Sequence, residues 1–194
     1  MLTQLRPSPR AAAIMLLLAA ILSLAAFLPS PSRSDGATTV ILVRHAEKAA
    51  APGNDPVLDS TGERRARDLA ATLRNAKVGA ILVTQYQRTQ LTAAPLARAT
   101  GITPRIVDTR AGGEAHAKSV ADAARGEVGK TVLVVGHSNT IPSIVSALGA
   151  TAEPIADDDY DDLYVVMISS SGAARAIHAR YGAPARSTKA AATQ

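Results

Sequence analysis

The chain has 194 residues, 47% of them hydrophobic, and a formal net charge of +5; that length supports one sizeable core and is short for two. Aromatic residues are only 3%, with a single Phe and no Trp, so the core must come from Ala, Val, Leu and Ile, and stacking platforms for single-stranded nucleic acid are poorly supplied. Basic residues are scattered among sixteen acidic ones, which argues against a nucleic-acid partner, and the lack of cysteine excludes disulfides, thiolate catalysis, Cys-ligated zinc and a lipid-modified cysteine.

Arg6 and Arg10 precede an uncharged run over residues 11–28, AAAIMLLLAAILSLAAFL, and the Pro/Ser-rich PSPSRSDG follows it. A basic start, an apolar middle and a polar breaker are the layout of a secretory leader. The apolar run is long for a signal peptide and at the short limit for a membrane span. Residues 1–36 are therefore expected to be a signal peptide, cleaved after Ala25, or an N-terminal anchor with its linker. The protein is then secreted or periplasmic, either free or membrane-anchored through residues 11–28.

From Thr38 strand-like and helix-like segments alternate, the pattern of an α/β layered domain. TTVILV, ending at Val43, reads as a strand. Ser60 followed by Glu63 forms a capping-box signature, with Ala66, Leu69, Ala70 and Leu73 on one helical face. AILV at 80–83 is a second strand. A helix is predicted from about Thr89 to Thr100, with Pro95 a kink and Gly101 a stop. Thr103 to Val107 reads as a short strand, and Ala117, Val120, Ala121 and Ala124 mark a helix face. TVLVV at 131–135 is the clearest buried strand, and Ile141, Ile144, Val145 and Leu148 give a helix ended by Gly149. Leu163 to Ser169 and Ala173 to Ala179 read as a hairpin turning at SSSG. Beyond Tyr181 periodicity is lost, so the domain is bounded at 37–182 and a disordered tail is expected over 183–194.

Three apolar strands end abruptly in polar clusters: Arg44-His45 after ILV, Thr84 to Arg88 after AILV, and Gly136-His137 after TVLVV. Open α/β sheets build their crevices beyond the carboxyl ends of strands. If these strands are neighbours, two arginines and two histidines converge on a volume suited to a phosphate dianion. Arg44 and Arg88 offer forked donors, and His137 adds another. His45, with one ring nitrogen held as a donor to the backbone, presents the other as a nucleophile. Phosphoryl transfer needs mainly positioning and charge stabilisation, which this set supplies without a metal.

At these residues LVRHAEK, TQYQRTQLTA and VVGHSNT resemble the three blocks of the histidine phosphatase superfamily, whose relatives include phosphoglycerate mutases and small bacterial phosphohistidine phosphatases. The resemblance spans roughly Thr39 to Arg180. It implies a three-layer α/β sandwich, phosphoglycerate mutase-like, with a mostly parallel central sheet flanked by helices. It also implies that His45 becomes the phosphohistidine, that Arg44, Arg88 and His137 form the phosphate pocket, and that Thr84 lies at its rim, with no metal and no cofactor. Two departures stand out. Ala46 replaces the usual Gly, which requires that this position avoid positive φ. Ser138 stands where one branch has an acid, so the leaving group's proton donor falls to Glu114 in AGGEAH, with Asp108 and His116 as alternatives.

Taken alone, each histidine reads as a satisfied buried side chain; His178, without a partner signature, keeps that reading, and His116 reads as a helix-start residue near the pocket mouth. Glu47 and Lys48 touch substrate or form a solvated loop pair. DDDYDD at 157–162 reads as a solvated turn, with an acidic lip or calcium site as its sharper alternative. The functional expectation is a phosphatase acting on phosphomonoesters or phosphohistidine, its substrate a phosphorylated small molecule, an envelope component or a phosphoprotein. Mutase-type transfer is the alternative enzyme reading, disfavoured by the short segment between Arg88 and His137, which leaves little room for a cap. A phosphate-binding module without turnover is the non-enzymatic one.

Overall fold

The computed structural model describes residues 36–184. Residues 1–35 and 185–194, which hold the predicted leader and nearly all of the predicted tail, lie outside the described residues.

In chain order the elements are β1 (Thr38–Arg44), α1 (Ser60–Leu73), β2 (Val78–Val83), α2 (Gln87–Thr100), β3 (Arg105–Ile106), α3 (Gly113–Arg125), β4 (Thr131–Gly136), α4 (Ile141–Ala147), β5 (Asp162–Ile168) and β6 (Ala174–Arg180). The six strands form one sheet in the order β3-β2-β4-β1-β5-β6. β3, β2, β4 and β1 run parallel to one another, while β5 is antiparallel to both β1 and β6. The mostly parallel, helix-flanked sheet matches the expected α/β class.

The period-two alternation of buried strands sends successive residues to opposite faces. Val40, Leu42, Val132 and Val134 pack with Ala117, Val120, Ala121 and Ala124 of α3 and Ile141, Ile144 and Leu148 of α4. Ile41, Val43, Leu133 and Val135 pack with Leu69 and Leu73 of α1 and Ala93 and Leu96 of α2. Each face of the sheet is thereby covered by two helices, which makes the three layers.

Several local expectations are corrected. The cap of α1 is Asp59, whose Oδ1 accepts from the Thr61 and Gly62 amides at 2.8 Å each. A carboxylate one residue earlier in extended backbone displaces the Ser60 hydroxyl. The strand expected over 103–107 shrinks to Arg105–Ile106, an exposed sheet edge. The run at 157–162 is not simply a solvated turn: Asp161 and Asp162 are buried, and Arg180 Nη1 lies 2.7 Å from Asp161 Oδ1. His178, expected to be a satisfied buried side chain, is satisfied but exposed: its Nε2 lies 2.6 Å from Asp162 Oδ1 and its ring stacks on Tyr164. The hairpin puts His178 beside Tyr164 across the strands, a pairing that no short-range motif reports.

Candidate active site

Strand register assembles the site. Val83 and Val43 both lie beside Val135, and Arg44 lies beside Gly136, so the three strand ends finish level along β2, β4 and β1. His45 and His137 leave adjacent strands side by side. The His45 amide donates to the Gly136 carbonyl at 2.9 Å, and the two rings meet edge to face with centroids 5.3 Å apart.

The His45 Nδ1 lies 2.8 Å from the Ala46 carbonyl. A carbonyl only accepts, so Nδ1 carries the hydrogen and Nε2 is left with its lone pair. Burial, with the positive charges of Arg44, Arg88 and Lys48, lowers the imidazole from 6.5 to about 4, against the opposing effect of the bond to Ala46. Ala46 is not among the residues with positive φ, so the methyl group costs no backbone strain here. Its amide donates to Thr92 Oγ1 at 2.9 Å, and Thr92 in turn donates to the Arg88 carbonyl at 2.7 Å. Thr92 thus ties the turn after His45 to α2, a role with no sequence signal beyond a threonine four residues from Arg88. On the other side Gly62 abuts this turn so closely that a Cβ there would collide with the Glu47 carbonyl.

Arg44 is held by the 156–160 loop that leads into β5. Its Nη1 donates to the carbonyls of Ala156 at 2.8 Å and Asp159 at 3.0 Å, and the guanidinium lies 4.0 Å from the Tyr160 ring centroid. Its Nε is buried without a partner. Arg88 is tied more loosely, with Nη1 3.3 Å from the Asn54 carbonyl and 3.7 Å from Asp55 Oδ1, over the ring of Tyr86. Tyr86 and Tyr160, neither picked out from sequence, therefore back the two guanidiniums; both stand within a few residues of a charge cluster in a chain with four tyrosines.

Thr84 is buried, not at the rim, because its hydroxyl turns inward to within 3.2 Å of His137 Nε2 and 3.0 Å of Thr89 Oγ1. If Thr84 donates, Nδ1 of His137 becomes the ring's N–H donor. Burial first, then the neighbouring His45 and Arg88, lowers the His137 imidazole to about 3. It is a neutral ligand, not a fixed cation.

The cleft over these groups measures about 360 Å³, and its lining includes His45, Tyr86, Arg88, His116 and His137. Gly113 lines it, but Glu114 does not and is exposed. Helix geometry explains this. At about 100° per residue, Glu114 points roughly 200° away from His116, and His116 is on the buried face of α3. Asp108 is committed to Arg110, which holds its carboxyl below the usual range, and it too stays outside the cleft lining. Glu47 is paired with Arg65 at 2.7 Å, and Lys48 bridges Leu58. No group of three or more His, Asp or Glu side chains among the described residues is placed to hold a metal ion.

Residues 40–111 match the family model of the histidine phosphatase superfamily (branch 1), a span that ends before His137. The fold is similar to a candidate phosphohistidine phosphatase SixA from Nakamurella multipartitia, at 25% identity over 77% of this chain and 97% of that one, with a TM-score of 0.53. In this stretch and in its fold the chain is similar to the histidine phosphatase superfamily. Two other solved folds are also similar. The protein histidine phosphatase SixA complexed with tungstate shares 18% identity over 73% and 96% of the two chains, with a TM-score of 0.59. A mycobacterial glucosyl-3-phosphoglycerate phosphatase shares 15% over 76% and 99%, with a TM-score of 0.57. No curated protein matches at the sequence level.

The lowered histidines of this site make stability depend on pH. Unfolded imidazoles take up protons near 6.5, whereas folded His45 and His137 stay neutral to about 4 and about 3. Between those values the unfolded chain binds more protons. The two groups therefore weaken the fold as pH falls, each by up to about 1.4 kcal/mol per pH unit. Urea unfolding between pH 7 and 4.5 is expected to show a shallower loss in His137→Gln than in wild type. Parallel curves would remove His137 as a source of the acid sensitivity.

Proposed function

We propose that the protein is a metal-independent phosphatase that hydrolyses phosphomonoesters or phosphohistidine through a covalent intermediate on His45. The carrying observation is the His45 ring, which is neutral, fixed by Ala46 through Nδ1, and has Nε2 free beside Arg88 and His137. In-line attack by Nε2 breaks the bond from phosphorus to the leaving oxygen, while Arg88 and Arg44 neutralise the equatorial oxygens and His137 donates a hydrogen bond to them. Water then cleaves the phosphorus–nitrogen bond and restores His45. The match of residues 40–111 to the histidine phosphatase model and the phosphatases among the similar folds support the reaction class.

Brief incubation with labelled substrate is expected to leave label that survives an alkaline quench and is released by acid, because phosphoramidates hydrolyse in acid. Label stable to acid would point to a serine or threonine ester. EDTA is expected to leave turnover intact, and recovery of lost activity by added zinc or magnesium would contradict the metal-free scheme.

The leader composition supports a further part of the proposal, that the enzyme works outside the cytoplasm on an envelope component, a phosphoprotein or a small phosphorylated molecule. A reporter fused after Gly36 is expected to be exported, and activity confined to the cytoplasm would refute this.

A further inference from the structure

His116 stands at the start of α3, on a face otherwise made of Ala117, Val120, Ala121 and Ala124. It is only 2% exposed. Its Nδ1 lies 3.1 Å from the Asp108 carbonyl, so Nδ1 carries the hydrogen and Nε2 the lone pair. Nε2 is buried and has no protein partner, while the residue lines the same cleft as His45, Arg88 and His137. The packing of α3 does not account for a polar atom left this way, since apolar side chains fill the rest of that face. His116 repeats the arrangement of His45, with Nδ1 pinned to a backbone carbonyl and Nε2 held in reserve.

We propose that His116 is the catalytic proton donor for the leaving group, a role for which Glu114 is turned to solvent and Asp108 is bound to Arg110. This rests on the reading of His45 as the nucleophile. In the first step His45 Nε2 bonds to phosphorus as the phosphorus–oxygen bond breaks and its electron pair goes to the departing oxygen; His116, which has taken a proton from solvent onto Nε2, passes it to that oxygen, so that a neutral alcohol leaves. In the second, neutral His116 takes a proton from water as the oxygen attacks phosphorus. The phosphorus–nitrogen bond electrons return to His45 Nε2, phosphate departs, and His116 is protonated again. No further reactant is needed. One imidazole nitrogen can give up a proton and later accept one, which suits a group that must serve as acid and then as base. The substrate class that needs this residue is the alkyl phosphomonoester, whose alkoxide is a poor leaving group.

The test compares glycerol phosphate with p-nitrophenyl phosphate in wild type, His116→Asn and His116→Gln. Asparagine can keep a donor toward the Asp108 carbonyl while deleting Nε2. Nitrophenolate leaves without help, so the loss of kcat/KM on glycerol phosphate is expected to exceed that on the aryl substrate by about 100-fold. Glu114→Gln is expected to leave the ratio of the two substrates at its wild-type value. Equal losses on both substrates in either His116 variant, or a selective alkyl defect in Glu114→Gln, would overturn the proposal. Label on His45 from the aryl substrate shows that a variant is folded and the nucleophile intact; absence of that label in wild type would instead sink the phosphohistidine reading. The wild type supplies a check independent of variant folding: with a proton donor, kcat/KM depends weakly on leaving-group pKa across aryl and alkyl phosphates. A steep dependence would overturn the assignment.

Discussion

His45→Ala is expected to abolish turnover of p-nitrophenyl phosphate, a loss on the order of 10⁴-fold or more, and to abolish acid-labile label with it. The neighbouring hydroxyls offer no substitute. Ser138 donates to Asp157 Oδ1 at 3.1 Å, and Thr140 accepts from the His137 amide and donates to its carbonyl. Thr84 is buried, with its hydroxyl turned inward onto His137 Nε2 and Thr89 Oγ1 and away from the cleft. His45 combines a ring fixed through Nδ1, a low proton affinity and a free Nε2 in the cleft. The aryl substrate makes the test clean, because its leaving group needs no acid and any loss reports the nucleophile. Retained activity with label moved to another residue would show that a hydroxyl or second imidazole performs the attack. Retained phosphate binding without turnover in the wild type would instead support the binding-module alternative.

Much of the architecture was legible because parallel strands buried on both faces read as unbroken apolar runs, and ILV, AILV and TVLVV each stop at a polar residue. The register that levels those stops comes from hydrogen bonding between strands far apart in the chain, and only the structure displays it. Reach across the fold is also what hid the rest. Tyr160 covers Arg44 from more than a hundred residues away, and Asp161 and Asp162 are buried by Arg180 and His178 on the next strand. A run of five aspartates with one tyrosine reads locally as solvated, but its partners come from strands β1 and β6. For Glu114 the signal was present and unused. Ala117, Val120, Ala121 and Ala124 define the buried face of α3, and that face takes in His116 and leaves Glu114 outside.

Arg88→Ala is expected to lower kcat/KM by about 100-fold or more, since it removes a donor aimed at charge that develops on the equatorial oxygens. Stability should hardly change. Arg88 makes one long bond to the Asn54 carbonyl, a loose pairing with Asp55, and a stacking contact with Tyr86. Arg44→Ala should cost comparable activity but should also lower the unfolding midpoint. Arg44 Nη1 holds two carbonyls of the 156–159 loop, and losing it leaves both without that donor and Tyr160 without the cation it packs against. The two variants thus separate a side chain kept free for the ligand from one that also builds its own wall. Arg88→Lys refines the point. It keeps the charge but loses the planar fork, so a large residual defect would show that paired donors, and not charge alone, hold the phosphoryl group. Wild-type activity in Arg88→Ala would mean that this guanidinium does not reach the phosphate. Arg44 would then have to supply the positive charge alone, with Nε as the nitrogen that the loop leaves unpaired.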